Sequence, residues 1–171
     1  MMKNMIGWAL LLCLATAGLI RVTAKEGESA STAKETAISV DAKMDAVHNI
    51  INGEYKKLEP IFARGCYDCH SAQTEFPWYH KLPLVGSWMD SHIEEAREHL
   101  DMTGGFPFKG AGSQAEMLEE IWEEIEKGDM PLLSYRLMHW DAAPDETEKD
   151  SIRVWVERST KLLDGEASEQ E

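Results

Sequence analysis

From Asp41 onward the apolar side chains of this chain return every three or four positions. Val47, Ile50, Ile51, Tyr55, Leu58 and Phe62 fall on one stripe of a helix that leads toward two cysteines, Cys66 and Cys69. Pro60 interrupts the stripe, and either kinks this helix or opens a second one at its first turn. Gly65 suits a tight change of direction. A further stripe runs through Met89, His92, Ile93, Ala96 and Leu100, with Glu94, Glu95, Arg97 and Glu98 on the opposite face. The next carries Leu118, Ile121, Trp122 and Ile125. It is opened by Ser113-Gln114-Ala115-Glu116, which has the form of a capping box, and stopped by Gly128. The last starts near Pro144, Asp145 and Glu148 and turns Ile152, Trp155, Val156, Leu162 and Leu163 inward.

The connections are long. Ser71 to Gly86, with Pro77 and Pro83, predicts an ordered loop whose Phe76, Trp78 and Tyr79 need an apolar surface, either a porphyrin or neighbouring helices. Gly104, Gly105, Pro107, Gly110 and Gly112 predict a flexible connection. No stretch alternates with a two-residue period, so the expected fold is an all-α domain over residues 41–163, its long loops wrapped around a cofactor. Residues 25–40 are small and polar and read as a flexible linker, and residues 164–171 as a frayed acidic tail.

Residues 1–24 have the form of an export signal. Lys3 precedes an apolar run from Met5 to Ile20, and Val22-Thr23-Ala24 offers the small residues a signal peptidase needs. The alternative is an uncleaved membrane anchor, although the run falls short of a comfortable bilayer span. Cys13, inside it, has no assigned role. Removing this segment takes away Lys3 and Arg21, two of 17 basic side chains, and none of the 31 acidic ones, leaving a charge of about −16. Such a surface excludes nucleic acid as a partner. It permits docking to a basic protein face, and it also serves solubility alone.

Cys66-Tyr67-Asp68-Cys69-His70 carries the chemistry. Two thiols three positions apart can capture haem vinyl groups as thioethers while the adjacent His70 reaches the iron. A zinc site would need two more ligands at similar spacing, and none follows. A thioredoxin-type dithiol belongs in a βαβ pattern, which is not visible, and two ordinary buried thiols are the remaining alternative. Covalent haem attachment in bacteria takes place outside the cytoplasm, so the export signal and the motif agree.

The opposite axial ligand is expected to be Met130. Asp129-Met130-Pro131 follows a helix stop, in extended chain able to cross the open haem face, and Pro131 turns Met130 away from helical geometry. A soft, neutral thioether favours ferrous iron and raises the reduction potential. Met89, Met102, Met117 and Met138 read as core filling. His92, on the apolar side of its helix, and His139, close to Tyr135, are alternative ligands, and an open five-coordinate iron is a third arrangement. Trp78, Tyr79 and Tyr135 are expected to line the pocket or pack in the core.

Cys66-Tyr67-Asp68-Cys69-His70-Ser71, then Pro77-Trp78-Tyr79, Trp88 with His92, Gly128-Asp129-Met130-Pro131-Leu132 with Tyr135 and His139, and finally Trp155 resemble the bacterial haem-binding domains related to small cytochromes c. The resemblance covers roughly residues 47–160 in unbroken order. It implies a single covalent haem c, a cytochrome c-like helical fold and Met130 as distal ligand. Two departures stand out: Ala142-Ala143-Pro144-Asp145 where the family more often has a Ser or Thr cap, and a long glycine-rich loop from Gly104 to Gly112. The expected function is electron transfer between redox partner proteins in the periplasm, a binding module rather than an enzyme. The alternatives are a haem peroxidase with His92 as distal acid/base, or a haem-based sensor of redox state or small gases.

Overall fold

Helix α1 passes through Pro60 and occupies residues 41–65 of the computed structural model, which describes residues 41–168. The missing proline amide removes one intrahelical bond, and the buried rings of Tyr55 and Phe62 hold the helix on either side of it. No second helix starts there. The remaining elements are α2 (Tyr67–His70), a 3₁₀ turn (Trp78–Lys81), α3 (Val85–His99), β1 (Leu100–Asp101), β2 (Lys109–Gly110), α4 (Gln114–Lys127), α5 (Leu133–Arg136) and α6 (Glu146–Ser168). The fold is all-α, with a two-stranded antiparallel ladder that sets Leu100 opposite Gly110 and Asp101 opposite Lys109. The expected export signal or anchor and the polar linker lie outside the described residues.

One core gathers the helical stripes. It takes Val47, Ile51, Tyr55 and Phe62 from α1, Met117, Leu118, Ile121 and Ile125 from α4, and Ile152, Trp155, Val156 and Leu163 from α6. Tyr55 is its centre, with ring centroids 5.3 Å from Phe62, 5.2 Å from Phe108 and 5.7 Å from Trp155. Offset and edge-on pairs of this kind add to the stabilisation from burial itself. Ile50 is half exposed, so the α1 stripe is narrower than its periodicity suggests.

The glycine-rich connection departs from expectation. Phe106 and Phe108 are buried in the core, the Phe106 amide donates to Asn52 Oδ1 at 3.0 Å, and the Gln114 side chain holds both the amide and the carbonyl of Phe108. With β1 and β2 closing its base, the segment is pinned rather than loose. Its aromatics supply the apolar surface that a purely flexible loop lacks.

Local capping is as the sequence implies. Ser113 Oγ accepts from the Glu116 amide while Glu116 accepts from the Ser113 amide, and Gly128 ends α4 in the left-handed region at φ 77°. Asp145 and Glu148 form the same reciprocal arrangement at the start of α6, with an aspartate as the capping residue. Helix α6 then continues through Gly165 to Ser168, where the sequence suggests a frayed tail.

Glu148 also ties α6 to the end of α1, through a 2.6 Å bond from Arg64 Nη2 to its Oε2. The Arg64 bond holds the Glu148 carboxyl below its usual range, against some desolvation. A depressed folded value means stability present above the unfolded value of about 4.3 and lost as pH falls through the folded one. Glu148→Gln, which keeps a capping acceptor, is expected to cost about 0.5–1 kcal/mol at neutral pH. It should also lessen the loss of stability on acidification, read by thermal unfolding between pH 7 and pH 3. Parallel wild-type and variant curves across that window would rule out the ion pair.

Candidate haem-binding site

The site begins where α1 ends. A Cβ placed on Gly65 would stand 2.5 Å from the Ala142 carbonyl oxygen and 3.2 Å from Pro131 Cγ. Only a glycine lets the segment after α4 lie this close to the chain entering the cysteine motif. The motif then closes in one helical turn, with the His70 amide donating to the Cys66 carbonyl at 2.8 Å. On such a turn, residues three and four apart share a side, which groups Cys66, Cys69 and His70. Tyr67 points elsewhere: it is buried, its hydroxyl 2.8 Å from that of Tyr55 and 3.3 Å from Glu59 Oε1. The turn is therefore rooted in the core by the residue after its first cysteine.

His70 is set by the ladder. Its Nδ1 lies 3.0 Å from the Leu100 carbonyl oxygen, which makes Nδ1 the protonated nitrogen and leaves the Nε2 lone pair for a metal. Its own carbonyl accepts from the Met102 amide at 2.7 Å. Burial lowers the imidazole's pKa, only partly offset by backbone carbonyls, and so favours the neutral, ligating form. Cys66 and Cys69 are not bonded to each other. Burial pushes the Cys66 thiol up to about 12 and raises that of Cys69 as well. Redox-active dithiols need the opposite shift, toward thiolate. Among the described residues no three His, Cys, Asp or Glu side chains are gathered to hold a bare metal ion.

The other wall comes from the chain after α4. The amides of Asp129 and Met130 both donate to the Glu124 carbonyl, at 3.1 and 3.2 Å, beyond the Gly128 cap. Met130 is half-buried, and Pro131 is buried where it meets Gly65. The Met130 thioether thus hangs from backbone fixed on both sides. Tyr135, on α5, donates its hydroxyl to Asp68 Oδ2 at 2.8 Å, and burial together with this bond raises its pKa. His139 stacks on Tyr135 at 4.0 Å, with its Nδ1 3.2 Å from the Tyr135 carbonyl oxygen.

Of the twelve exposed large hydrophobic side chains among the described residues, ten fall in two short stretches, Phe76 to Trp88 and Leu132 to Trp140. Trp78 is 72% exposed and Trp140 88%. Apolar surface at this density implies a partner or ligand that covers it. Both stretches are bonded to the cysteine turn, one through the Glu75 amide on Asp68 Oδ1 and the other through Tyr135. Two thiols, an imidazole with Nε2 available and uncovered apolar flanks together fit a haem.

Most of the expected site residues converge here. Cys66, Cys69 and His70 share the turn, and Met130, Pro131 and Tyr135 lie on the segment packed against it. Tyr79 is half-buried, whereas Trp78 is open to solvent and packs only edge-on against Tyr79, so it is not a core residue. His92 is exposed, stacked on Trp88 with Nδ1 against the Trp88 carbonyl, on a helix that packs on α2, the 3₁₀ turn and the ladder. Met102 and Met117 fill the core and Met89 is half-buried, but Met138 is exposed, in the uncovered stretch. Sequence reasoning passed over Tyr67 and Asp68, although both stand inside the motif it singled out.

A helical domain arranged in this way around one turn of thiols and imidazole is a haem-binding domain. The chain matches the haem-binding domain family over residues 18–158 and belongs to it. Neither the curated proteins nor the solved structures yield a match.

Proposed function

We propose that the protein is an exported mono-haem c-type cytochrome that passes electrons between redox partners. The observation that carries this reading is the Cys66–His70 turn, with its His70 Nδ1 engaged by the Leu100 carbonyl. Cys66 and Cys69 would hold the porphyrin as thioethers, and His70 Nε2 and the Met130 thioether would be the residues that donate to its iron. When bound, the haem supplies a one-electron ferric/ferrous couple. The chain's own part is to keep both donors in place through that change. The Leu100 carbonyl orients the imidazole, the α4 cap and the Pro131 contact fix the backbone at Met130, and the apolar flanks keep water from the haem edge. Net charge supports a partner with a basic docking face, which the acidic surface would steer and orient.

Spectra of the oxidised and reduced protein, followed by a denaturing gel stained for haem, test the reading. Low-spin spectra, a stained band at the protein's mass and ferrous protein that takes up carbon monoxide only slowly are expected. A colourless product from a host able to mature such proteins would remove the cytochrome. Rapid carbon monoxide binding would replace the carrier with a peroxidase or a sensor.

A further inference from the structure

Asp68 sits between the two cysteines and touches neither flank by chance of sequence. Its Oδ1 accepts the Glu75 amide at 2.9 Å, at the root of the Phe76 to Trp88 stretch. Its Oδ2 accepts the Tyr135 hydroxyl at 2.8 Å, in the middle of the Leu132 to Trp140 stretch. The two stretches carry most of the exposed large hydrophobic side chains among the described residues. One carboxylate therefore joins three segments: the attachment turn and the two sides of the site. Bonds to a charged acceptor are stronger than neutral ones, and here they are made by a residue of the most rooted element in the site.

We propose that Asp68 is a positioning residue that closes the haem site by clamping both apolar flanks to the attachment turn, and so keeps the distal side shut. The proposal rests on the haem reading above. Tyr135 is one arm of the clamp and the Glu75 amide the other. Loss of the carboxylate loosens both flanks where they meet the turn, and loss of the Tyr135 hydroxyl loosens one.

The test compares holoprotein carrying Asp68→Ala, Asp68→Asn or Tyr135→Phe with the wild type. It reads amide hydrogen exchange segment by segment and the rate at which ferrous protein binds carbon monoxide. Asp68→Ala is expected to speed exchange in residues 75–88 and in residues 132–140, and to raise the carbon monoxide rate by about tenfold or more. Tyr135→Phe should speed exchange in 132–140 alone. Asp68→Asn retains an acceptor for the Glu75 amide and can donate to the Tyr135 oxygen but loses the charge, so it should fall between Asp68→Ala and the wild type. Unchanged exchange in both flanks of Asp68→Ala would overturn the clamp. So would faster exchange spread evenly through α1, α4 and α6, which would make Asp68 a general stabiliser. A wild type without haem would sink the cytochrome reading instead, and exchange in the same variants would still decide whether the clamp exists.

Discussion

His70→Ala is expected to yield protein almost devoid of haem, with holoprotein down by about tenfold or more. The imidazole on the Cys66–His70 turn keeps its Nε2 lone pair for a metal, because its other nitrogen is spent on the Leu100 carbonyl. Alanine removes the proximal donor and cuts the side-chain link to β1 together. The core of α1, α4 and α6 does not depend on that link, so helical circular dichroism should survive. Haem stain per unit protein, measured beside that signal, separates failed maturation from failed folding. Wild-type stain in the variant would mean that this histidine is not the iron's ligand.

Met130→Ala should act differently. Haem stays covalently attached, the iron changes from low to high spin, and the reduction potential falls by on the order of a hundred millivolts. Stability should barely move, because Met130 is only half-buried and its amide bond to the Glu124 carbonyl is kept by alanine. A spectroelectrochemical titration reads both changes. A ferric spectrum identical to wild type would eliminate the methionine and return the choice to His139, or to His92 if its exposed ring could be brought over.

Signals confined to a few neighbouring residues were the legible ones. The capping box at Ser113 and Glu116, the Gly128 stop and the Asp145–Glu148 start are written in three or four adjacent letters, and the backbone obeys them locally. The cysteine motif is of the same kind. Pro60 was harder: its local cost is real, but burial of Tyr55 and Phe62 on the same helix outweighs it, and burial depends on partners more than forty residues away. The Gly104 to Gly112 segment misled for a related reason. Its glycines are visible in sequence, whereas the core that receives Phe106 and Phe108 exists only once α1 and α6 have met. Asp68 shows the limit most clearly. Its partners are a backbone amide seven residues on and a hydroxyl 67 residues on, and no periodicity encodes either. The exposure of His92 is likewise a property of what α3 leans on, not of the spacing along it.

The pairing of Tyr67 with Tyr55 has one more result. A stretch of chain that must meet solvent and a ligand borrows its footing from the molecule's deepest interior, through a ring that passes between the two. Cys66, packed against the same core, cannot shift without disturbing that interior. A haem seated on this turn would meet a frame already in its final shape, with little left to rearrange on binding.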